Sequence, residues 1–446
     1  MCQPSAKSIF MLKTTPSIMN KTFSCRVTLL FIGYLMLLLT PSAFASSDPH
    51  DIIRNGKFYT DLRHRYEHVD QANFSKDATA STFRSRFGLI SGEYQGFQAS
   101  IELDSVGTIG SSRYNSTTNG KSQFPVVADP IVNELNALWV SWKGLPDSLV
   151  KVGRQPINLD NQRFIGTVGF RQNDQTYDAA AITNTSIENL HLYYSYTDKV
   201  NRVTGHQNPV GKLNSQIHMG RAEYEIIPNN KIIAYTYWLD FNNIAGFTAA
   251  SSGLSSKTYG LRFVGKVPVT NDFDLLYVVE GARQHDNGKN STDYSATYYH
   301  VAPGIGWNGF TVEAGIESLS GDGQSAFSTP LATLHAHNGW ADKFLVTPGN
   351  GLQDRYLRAT YKANGINRWV DNTVVQLIYH DFNAVRGNAN YGSEWNFDIT
   401  KVFTERDMMP ISYMKSWSFG VRYADYDAQD FAQDTRKGWI TLGARF

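Results

Sequence analysis

The sequence predicts an all-β fold, a transmembrane antiparallel β-barrel of about 18 strands with short periplasmic turns and long extracellular loops. Segments of about ten residues alternate in polarity, which is the length that a tilted strand needs to cross a membrane. The connections alternate between short and long, and the last segment, Trp439–Phe446, is itself an alternating strand. A soluble β-sandwich can show the same alternation, so the pattern of connections decides between the two folds.

The N-terminus has the features of a secretory signal peptide. An apolar run over residues 27–39 follows basic residues, and Ala43-Phe44-Ala45 fits a signal-peptidase site, so we expect cleavage after Ala45. The run is shorter than the roughly 18 residues of a transmembrane helix. The expected divisions are a signal peptide at residues 1–45 (with Met19 as an alternative start), a short periplasmic segment at residues 46–57 and the barrel at residues 58–446.

Composition and charge exclude several classes of protein. The mean hydropathy of −0.34 is too polar for a bundle of membrane helices. Both cysteines, Cys2 and Cys25, lie in the expected signal peptide, which excludes disulfides and thiolate chemistry from the mature chain. Cleavage leaves 37 basic and 40 acidic residues, a formal charge of −3, so binding to nucleic acid is not expected.

Ten segments are the clearest strands. They are Phe58–His68, Thr82–Ile90, Phe97–Asp104, Ala137–Trp142, Leu190–Asp198, Lys231–Asp240, Tyr259–Gly265, Phe273–Gly281, Trp417–Asp425 and Trp439–Phe446. No proline-rich linker or change in composition divides them. We therefore expect a single barrel domain.

Short turns and long loops follow each other along the chain. The predicted turns are Ser91–Gly96, Gly144–Ser148, Asn184–Glu188, Pro228–Asn230, Pro268–Asp272 and Pro303–Gly309. The predicted long loops are Gly107–Val132, Pro156–Gln175, Lys199–Gln216, Asn242–Ser256 and Ser318–Gly351. This regularity favours a membrane barrel over a sandwich or propeller, with both chain ends on the periplasmic side.

Aromatic residues gather near the predicted strand ends, which is typical of interfacial girdles. They are Phe58, Tyr59, Trp139, Trp142, Tyr237, Trp238, Tyr298, Tyr299, Trp369, Trp395, Trp417 and Trp439. The general enrichment of aromatic residues in β proteins is the alternative explanation.

Alternation in the strands assigns a wall of arginines to the lumen. Phe58, Leu62 and Tyr66 form the apolar face of the first strand, which turns its charged residues inward. The inward charges are Asp61, Arg63, Arg65, Glu67, Arg84, Arg86, Glu102 and Asp104 near the start of the barrel, and Arg422 and Arg445 near its end. Two interpretations stay open: a wall that selects carboxylates or phosphates, and a ladder in which arginines and acids neutralise each other.

The region after residue 152 is unusually rich in amides and arginine. Its runs are Gly153-Arg154-Gln155, Asp160-Asn161-Gln162-Arg163-Phe164 and Arg171-Gln172-Asn173-Asp174-Gln175-Thr176-Tyr177-Asp178. With Val126-Val127-Ala128-Asp129-Pro130 and the turn Lys143-Gly144-Leu145-Pro146-Asp147, they resemble the alginate export family of outer-membrane proteins. The resemblance is carried chiefly by residues 58–180.

That resemblance implies an 18-stranded barrel whose loops fold over or into an Arg-lined pore that passes a polyanionic polysaccharide. Amides would bind sugar hydroxyls and arginines would bind uronate carboxylates. The expected constriction residues are Arg154, Asp160, Asn161, Gln162, Arg163, Arg171, Gln172 and Asn173. The alternative is that these side chains only anchor the loop to the barrel wall.

We therefore expect a passive channel in the outer membrane of a Gram-negative bacterium for a hydrophilic, anionic solute such as an acidic oligo- or polysaccharide. A general diffusion porin with little charge selectivity is the alternative, and a barrel-based adhesin or enzyme is a third reading. No nucleophile–base spacing indicates an enzyme, and His335-x-His337 lacks an obvious third metal ligand, so no cofactor or metal is expected. The expected partners are outer-membrane lipid, the solute and the barrel-assembly machinery, through Phe446.

Overall fold

The computed structural model describes residues 48–242, 253–404, 407 and 413–446. The expected signal peptide lies outside these residues, as does part of the predicted loop Asn242–Ser256. A four-residue helix, α1 (Asp51–Arg54), precedes the barrel, and the Ile52 carbonyl accepts a 2.8 Å hydrogen bond from the Gly92 N–H of a periplasmic turn. No helix in the described part of the chain is long and apolar enough to cross a membrane.

Eighteen strands form one antiparallel sheet in the described residues. They are β1 (Lys57–Gln71), β2 (Ala78–Ile90), β3 (Phe97–Arg113), β4 (Val132–Trp142), β5 (Ser148–Gln155), β6 (Thr176–Asn184), β7 (Leu190–Asn201), β8 (Lys212–Ile227), β9 (Asn230–Phe241), β10 (Ser256–Pro268), β11 (Phe273–Asp286), β12 (Ser295–Trp307), β13 (Phe310–Leu319), β14 (Leu352–Lys362), β15 (Thr373–Asn383), β16 (Asn390–Thr404), β17 (Ser416–Ala428) and β18 (Thr435–Arg445). Each strand pairs with the next, and β18 pairs with β1. The predicted closed barrel of 18 strands is therefore confirmed.

Several strands extend beyond their predicted ends on the extracellular side. The sequence predicts that β3 ends at Asp104, but in the structure it continues to Arg113. The additional residues still pair with β2. Polarity stops alternating there, whereas the backbone pairing continues. The predicted turn Pro303–Gly309 contracts to Asn308 and Gly309, whose φ angles of 46° and 83° suit a two-residue hairpin turn.

The alternation of faces follows the prediction. Outward residues such as Phe58, Leu89 and Leu103 are exposed, whereas Glu67 and Asp104 on the opposite face are buried. The outer surface is thus an apolar belt suited to lipid. The predicted aromatic girdle needs a correction, because Tyr237, Tyr298 and Trp439 are buried in the lumen.

These aromatic residues face inward because two extracellular loops fill the lumen. We call residues 156–175 loop A and residues 320–351 loop B; loop B contains a short 3₁₀ helix, Leu334–Ala336. The largest buried hydrophobic cluster joins loop residues such as Phe164 and Phe327 to wall residues such as Tyr235. The buried hydrophobic core of the barrel therefore lies between these two loops and the inner face of the wall.

Candidate functional site

Loop A crosses the lumen from β5 to β13. Arg163 near its tip is 2% exposed, and its Nε donates to Oε1 of Glu317 on β13 at 2.8 Å. Its Nη2 donates to Oδ1 of Asn338 in loop B at 2.9 Å. The neighbouring Phe164 ring lies 5.2 Å from the Tyr235 ring. An ion pair, an amide and an aromatic contact thus hold the tip against the far wall.

The second half of loop A returns to the wall formed by β1 and β18. Arg171 donates to Glu67 Oε2 at 3.0 Å and to Asp342 Oδ2 of loop B at 3.1 Å. Asp342 also accepts a 2.7 Å hydrogen bond from Lys437 on β18. Loops A and B are therefore joined to each other and to the barrel by one buried cluster of alternating charges.

Gln172 and Asn173 fill the space between loop A and its neighbours. Gln172 is completely buried, receives a hydrogen bond from Arg63 at its Oε1 (2.8 Å) and donates to Thr82 Oγ1 (2.9 Å). Asn173 Nδ2 donates to the Val203 carbonyl at 3.3 Å. Burial with local partners favours the anchoring role for both amides; their predicted contact with a solute stays a prediction.

Arg63 and Arg65 bind the loop backbone rather than carboxylates. Arg63 Nη1 donates to the Gly169 carbonyl at 2.8 Å, and its Nη2 donates to the Arg171 carbonyl. Arg65 Nη1 donates to the Phe170 carbonyl, and its guanidinium lies 4.2 Å from the centre of the Phe170 ring. Neither side chain forms an ion pair with a described residue. These two side chains therefore hold loop A at one position along the barrel wall.

The other arginines predicted for this wall are neutralised by acids. Arg84 pairs with Asp61, and Arg86 pairs with Asp104 at 2.7 Å. The remaining pairs are Arg86–Asp174 at 3.0 Å, Arg422–Asp398 at 3.1 Å and Arg445–Asp61 at 3.1 Å. The wall is therefore largely the self-neutralising ladder that the sequence left open.

Asp160, Asn161 and Gln162 lie at the bend of loop A, where Asp160 and Gln162 have φ angles of 52° and 62°. Asp160 Oδ1 accepts from Arg221 Nε at 2.8 Å, and Gln162 Oε1 accepts from Thr333 Oγ1 of loop B at 2.6 Å. Asn161 is exposed, and its Oδ1 caps the Arg163 N–H at 3.3 Å. Asn161 is therefore the most accessible of the predicted amides in this bend.

Arg154 does not line the lumen, which corrects its predicted place. It is opposite Leu138 and Asp178 in the sheet, and Leu138 is exposed on the lipid side. Its Nε donates to Asp178 Oδ1 at 2.7 Å. Directly paired residues share one face of a sheet, so Arg154 and Asp178 both point outward. The following residue, Gln155, is the buried, inward-facing member of this motif.

A stacked ring pair divides the lumen beside this wall. The Phe170 ring of loop A and the His335 ring of loop B lie 3.5 Å apart at an angle of 18°. Trp439 meets both rings edge-on, and the Arg422 guanidinium lies 5.1 Å from the Phe170 ring. This partition separates a cavity of about 360 Å³ on the extracellular side from one of about 130 Å³ on the periplasmic side.

The extracellular cavity has apolar walls and carries two cations that lack a carboxylate partner. Its apolar lining includes Phe74, Val126 and Leu345, and its cationic lining includes Arg202 and Lys343. Among the described residues, Lys343 Nζ donates to Gln71 Oε1 alone, at 3.1 Å, and the Arg202 guanidinium makes no hydrogen bond or ion pair. Positive charge is thus available here, unlike in the arginine wall below.

Burial adjusts the charges at this cavity. Burial and the nearby Lys437 lower the pKa of Lys343 to about 8. Burial, together with Arg422 and Arg171, lowers the pKa of His335 to about 3, so its ring is neutral at physiological pH and bonded through Nδ1 to Asp342 at 2.8 Å. Although burial opposes ionisation of Asp342, Lys437 and its other partners hold its pKa well below the usual value. Among the described residues no group of three or more His, Cys, Asp or Glu side chains is arranged to hold a metal ion.

Comparison with solved structures shows the fold of known outer-membrane channels. The structure of OpdK with vanillate, from Pseudomonas aeruginosa, matches with a TM-score of 0.68 and 13% identity over 88% of this chain and 99% of that one. Acinetobacter baumannii OccAB2 matches with a TM-score of 0.68 and 15% identity over 89% and 99%, and P. aeruginosa OccK3 (OpdO) with 0.65 and 15% over 89% and 97%. No protein-family model and no curated protein matches the chain.

The fold is the fold of outer-membrane porins. The predicted location in a Gram-negative outer membrane is confirmed by this fold and by the apolar belt around the barrel. The resemblance to the alginate export family is wrong, because the structural neighbours are OccK and OpdK porins.

Proposed function

We propose that this barrel is a passive channel for small solutes, with weak overall charge selectivity and a local preference for compact carboxylates that carry an apolar body. The observation that carries the proposal is the extracellular cavity, where Arg202 and Lys343 stand in apolar walls without a carboxylate partner among the described residues. A carboxylate can bind such cations while its apolar part contacts the wall.

The neutralised wall supports weak overall selectivity. Of the nine arginines predicted to line the pore, seven form ion pairs with acids in the structure: Arg84, Arg86, Arg154, Arg163, Arg171, Arg422 and Arg445. Arg63 and Arg65 are occupied by loop carbonyls. A paired arginine attracts anions far less than a free one, so the wall alone gives little preference.

The size of the open space supports small solutes rather than polymers. Two cavities beside this wall, bordered by residues of loops A and B, have volumes of about 360 and 130 Å³. The larger one falls in the range of small-molecule sites. The neighbour OpdK was solved with vanillate, a small aromatic carboxylate, and its fold is shared by this chain. An enzymatic role is not proposed.

Planar-bilayer recordings with vanillate as the probe test the proposal. We expect a weak preference for anions, and transient block of the current by vanillate but not by its uncharged methyl ester. Replacing both cations, Arg202→Gln with Lys343→Gln, should weaken the block at least about a hundredfold, because each charge-assisted hydrogen bond contributes about 1.5–3 kcal/mol and about 1.4 kcal/mol corresponds to a factor of ten. The matched control is Lys143→Gln with Arg436→Gln, which removes two cations outside the lumen.

Three results would contradict the proposal. They are absence of conductance, equal block by vanillate and its ester, and equal block in the double variant and the parent. A uronate hexasaccharide should neither pass nor block at the cavity, so its passage would contradict the size argument.

A further inference from the structure

Three basic side chains form a patch on the outer face of the barrel. Lys257 on β10 is directly opposite His285 on β11, and Arg283 lies two residues before His285 on the same face. The residues between them, Thr258 and Gln284, are buried in the lumen. Because neighbours along a strand point to opposite faces, Lys257, Arg283 and His285 point away from the lumen. We call these three residues the outer basic patch.

The outer basic patch lies at the extracellular membrane interface. It begins at the extracellular end of β10, and Trp238 and Tyr259 on the same face are exposed beside it. Lys257 Nζ is 5.7 Å from the centre of the Trp238 ring, and the two aromatic rings lie 6.5 Å apart. Outward Trp and Tyr side chains mark the level of the lipid headgroups in membrane barrels.

The patch differs from two other outward cations at the extracellular ends of strands. Arg355 on β14 is 4.0 Å from Asp381, and Arg436 on β18 is 3.3 Å from Asp425. In contrast, no side chain of the outer basic patch forms an ion pair or hydrogen bond with a described residue. Residues 243–252, which precede β10 and lie outside the described part, contain no Asp or Glu. Among the described residues, therefore, no ion pair neutralises its positive charge.

We propose that the outer basic patch binds the phosphate groups of a phosphorylated glycolipid in the outer leaflet of the membrane. A guanidinium can bind phosphate in a fork, an ammonium adds a point charge, and an imidazole N–H donates a further hydrogen bond. The position among outward aromatic residues lets the acyl chains continue down the apolar belt. This site is separate from the permeation path, because it lies on the opposite face of the wall.

Binding of lipid A to the purified full barrel in detergent tests this proposal. Native mass spectrometry would compare bisphosphorylated lipid A with the same lipid after removal of its phosphates. The test variant is Lys257→Gln with Arg283→Gln, and the matched control is Arg355→Gln with Arg436→Gln, which removes the same charge from outward positions. We expect the test variant to bind bisphosphorylated lipid A at least about a hundredfold more weakly than the parent, in line with the loss of two charged hydrogen bonds.

Each other outcome overturns the assignment. Equal binding by the test variant and the parent would show that the outer basic patch does not bind the lipid. An equal loss of binding in the control variant would indicate general electrostatic attraction. Binding that does not depend on the lipid phosphates indicates acyl-chain contact alone, and inorganic phosphate that binds as tightly as bisphosphorylated lipid A indicates a site for free anions. Single-channel conductance of the test variant should equal that of the parent, which verifies that the barrel is folded.

Discussion

Each arginine near the lumen has a role that depends on its partner. Arg163 and Arg171 are buried and bonded to acids, so they hold the loops in place, whereas Arg63 and Arg65 hold backbone carbonyls. Arg202 has no such partner among the described residues and lines the open cavity. The positive charge available to a solute therefore comes from the arginine and lysine side chains that have no acidic partner.

The Arg163–Glu317 pair gives a prediction about the anchoring of loop A. Arg163→Gln leaves Glu317 buried without its partner, which costs about 3–5 kcal/mol of anchoring. We expect larger and noisier single-channel currents, and faster proteolysis of residues 156–175. Arg445→Gln is the control, because Arg445 is mostly exposed and its pair with Asp61 contributes about 0–1 kcal/mol. Parent-like currents in Arg163→Gln would show that the tip is held without this pair.

Lys343 gives a prediction about pH. Its folded pKa of about 8 is below the ordinary value of 10.5, so the folded protein releases this proton as pH rises through about 8. We expect anion preference, measured as reversal potential, to fall between pH 7 and 9 as the cavity loses a positive charge. Between about pH 8 and 10.5 the unfolded chain binds more protons here, so stability rises with pH in that window.

The control for this pH effect is Lys343→Met, which keeps the side-chain volume but has no charge to lose. Its anion preference should be lower than that of the parent at pH 7 and should no longer change between pH 7 and 9. A full pH response in this variant would assign the titration to another group.

At the scale of elements, the two loops act as one insert. Loop A and loop B meet through Arg171–Asp342 and Arg163–Asn338, and the stack of Phe170 on His335 forms the partition between the two cavities. Both loops reach the wall through buried contacts. Moving one loop therefore requires breaking contacts of the other.

The partition predicts the effect of Phe170→Ala. Removing the ring joins the extracellular and periplasmic cavities, so single-channel conductance should rise. His335→Phe is the matched control, because it keeps an aromatic ring in the stack and should keep the parent conductance. Since the pKa of His335 is about 3, the parent partition should not respond to pH between 5 and 8. Unchanged conductance in Phe170→Ala would place the narrowest point elsewhere.

The sequence predicted the elements better than their contacts. Alternation correctly assigned Arg65, Arg84 and Asp104 to the inner face, because lipid and water impose opposite polarity on neighbouring residues. No such rule covers loops, so the inward folding of Phe170 and His335 and the position of Arg202 in the cavity lining could not be predicted from their neighbours. Arg154 was placed by a family motif rather than by alternation, and strand parity places it outside.

At the scale of the whole molecule, β1 and β18 close the barrel. Their register brings Asp61 opposite Arg445 and Gln71 opposite Thr435, and the Phe446 N–H donates to the Thr60 carbonyl at 3.0 Å. The seam thus joins residues almost 400 positions apart in sequence, as Asp61 and Arg445 are 384 apart.

Deleting Phe446 should lower the yield of assembled barrel without changing the conductance of the barrels that form. The reason is that β1 and β18 keep their other register pairs, whereas the proposed recognition of the final aromatic residue by the assembly machinery is lost. The fraction of heat-modifiable protein on a gel measures assembly, and Phe446→Tyr serves as the control. A normal yield after deletion would remove Phe446 from the proposed partner contact.

The way Arg63 and Arg65 hold loop A bears on how such channels diversify. Both guanidiniums donate hydrogen bonds to the main-chain carbonyl oxygens of residues 169–171, and every amino acid has such a carbonyl. Side chains at the middle of this segment can therefore be exchanged while the hydrogen bonds from Arg63 and Arg65 to the backbone are kept. A library of substitutions at Gly169 and Phe170 should therefore yield barrels with the same wall that admit different solutes.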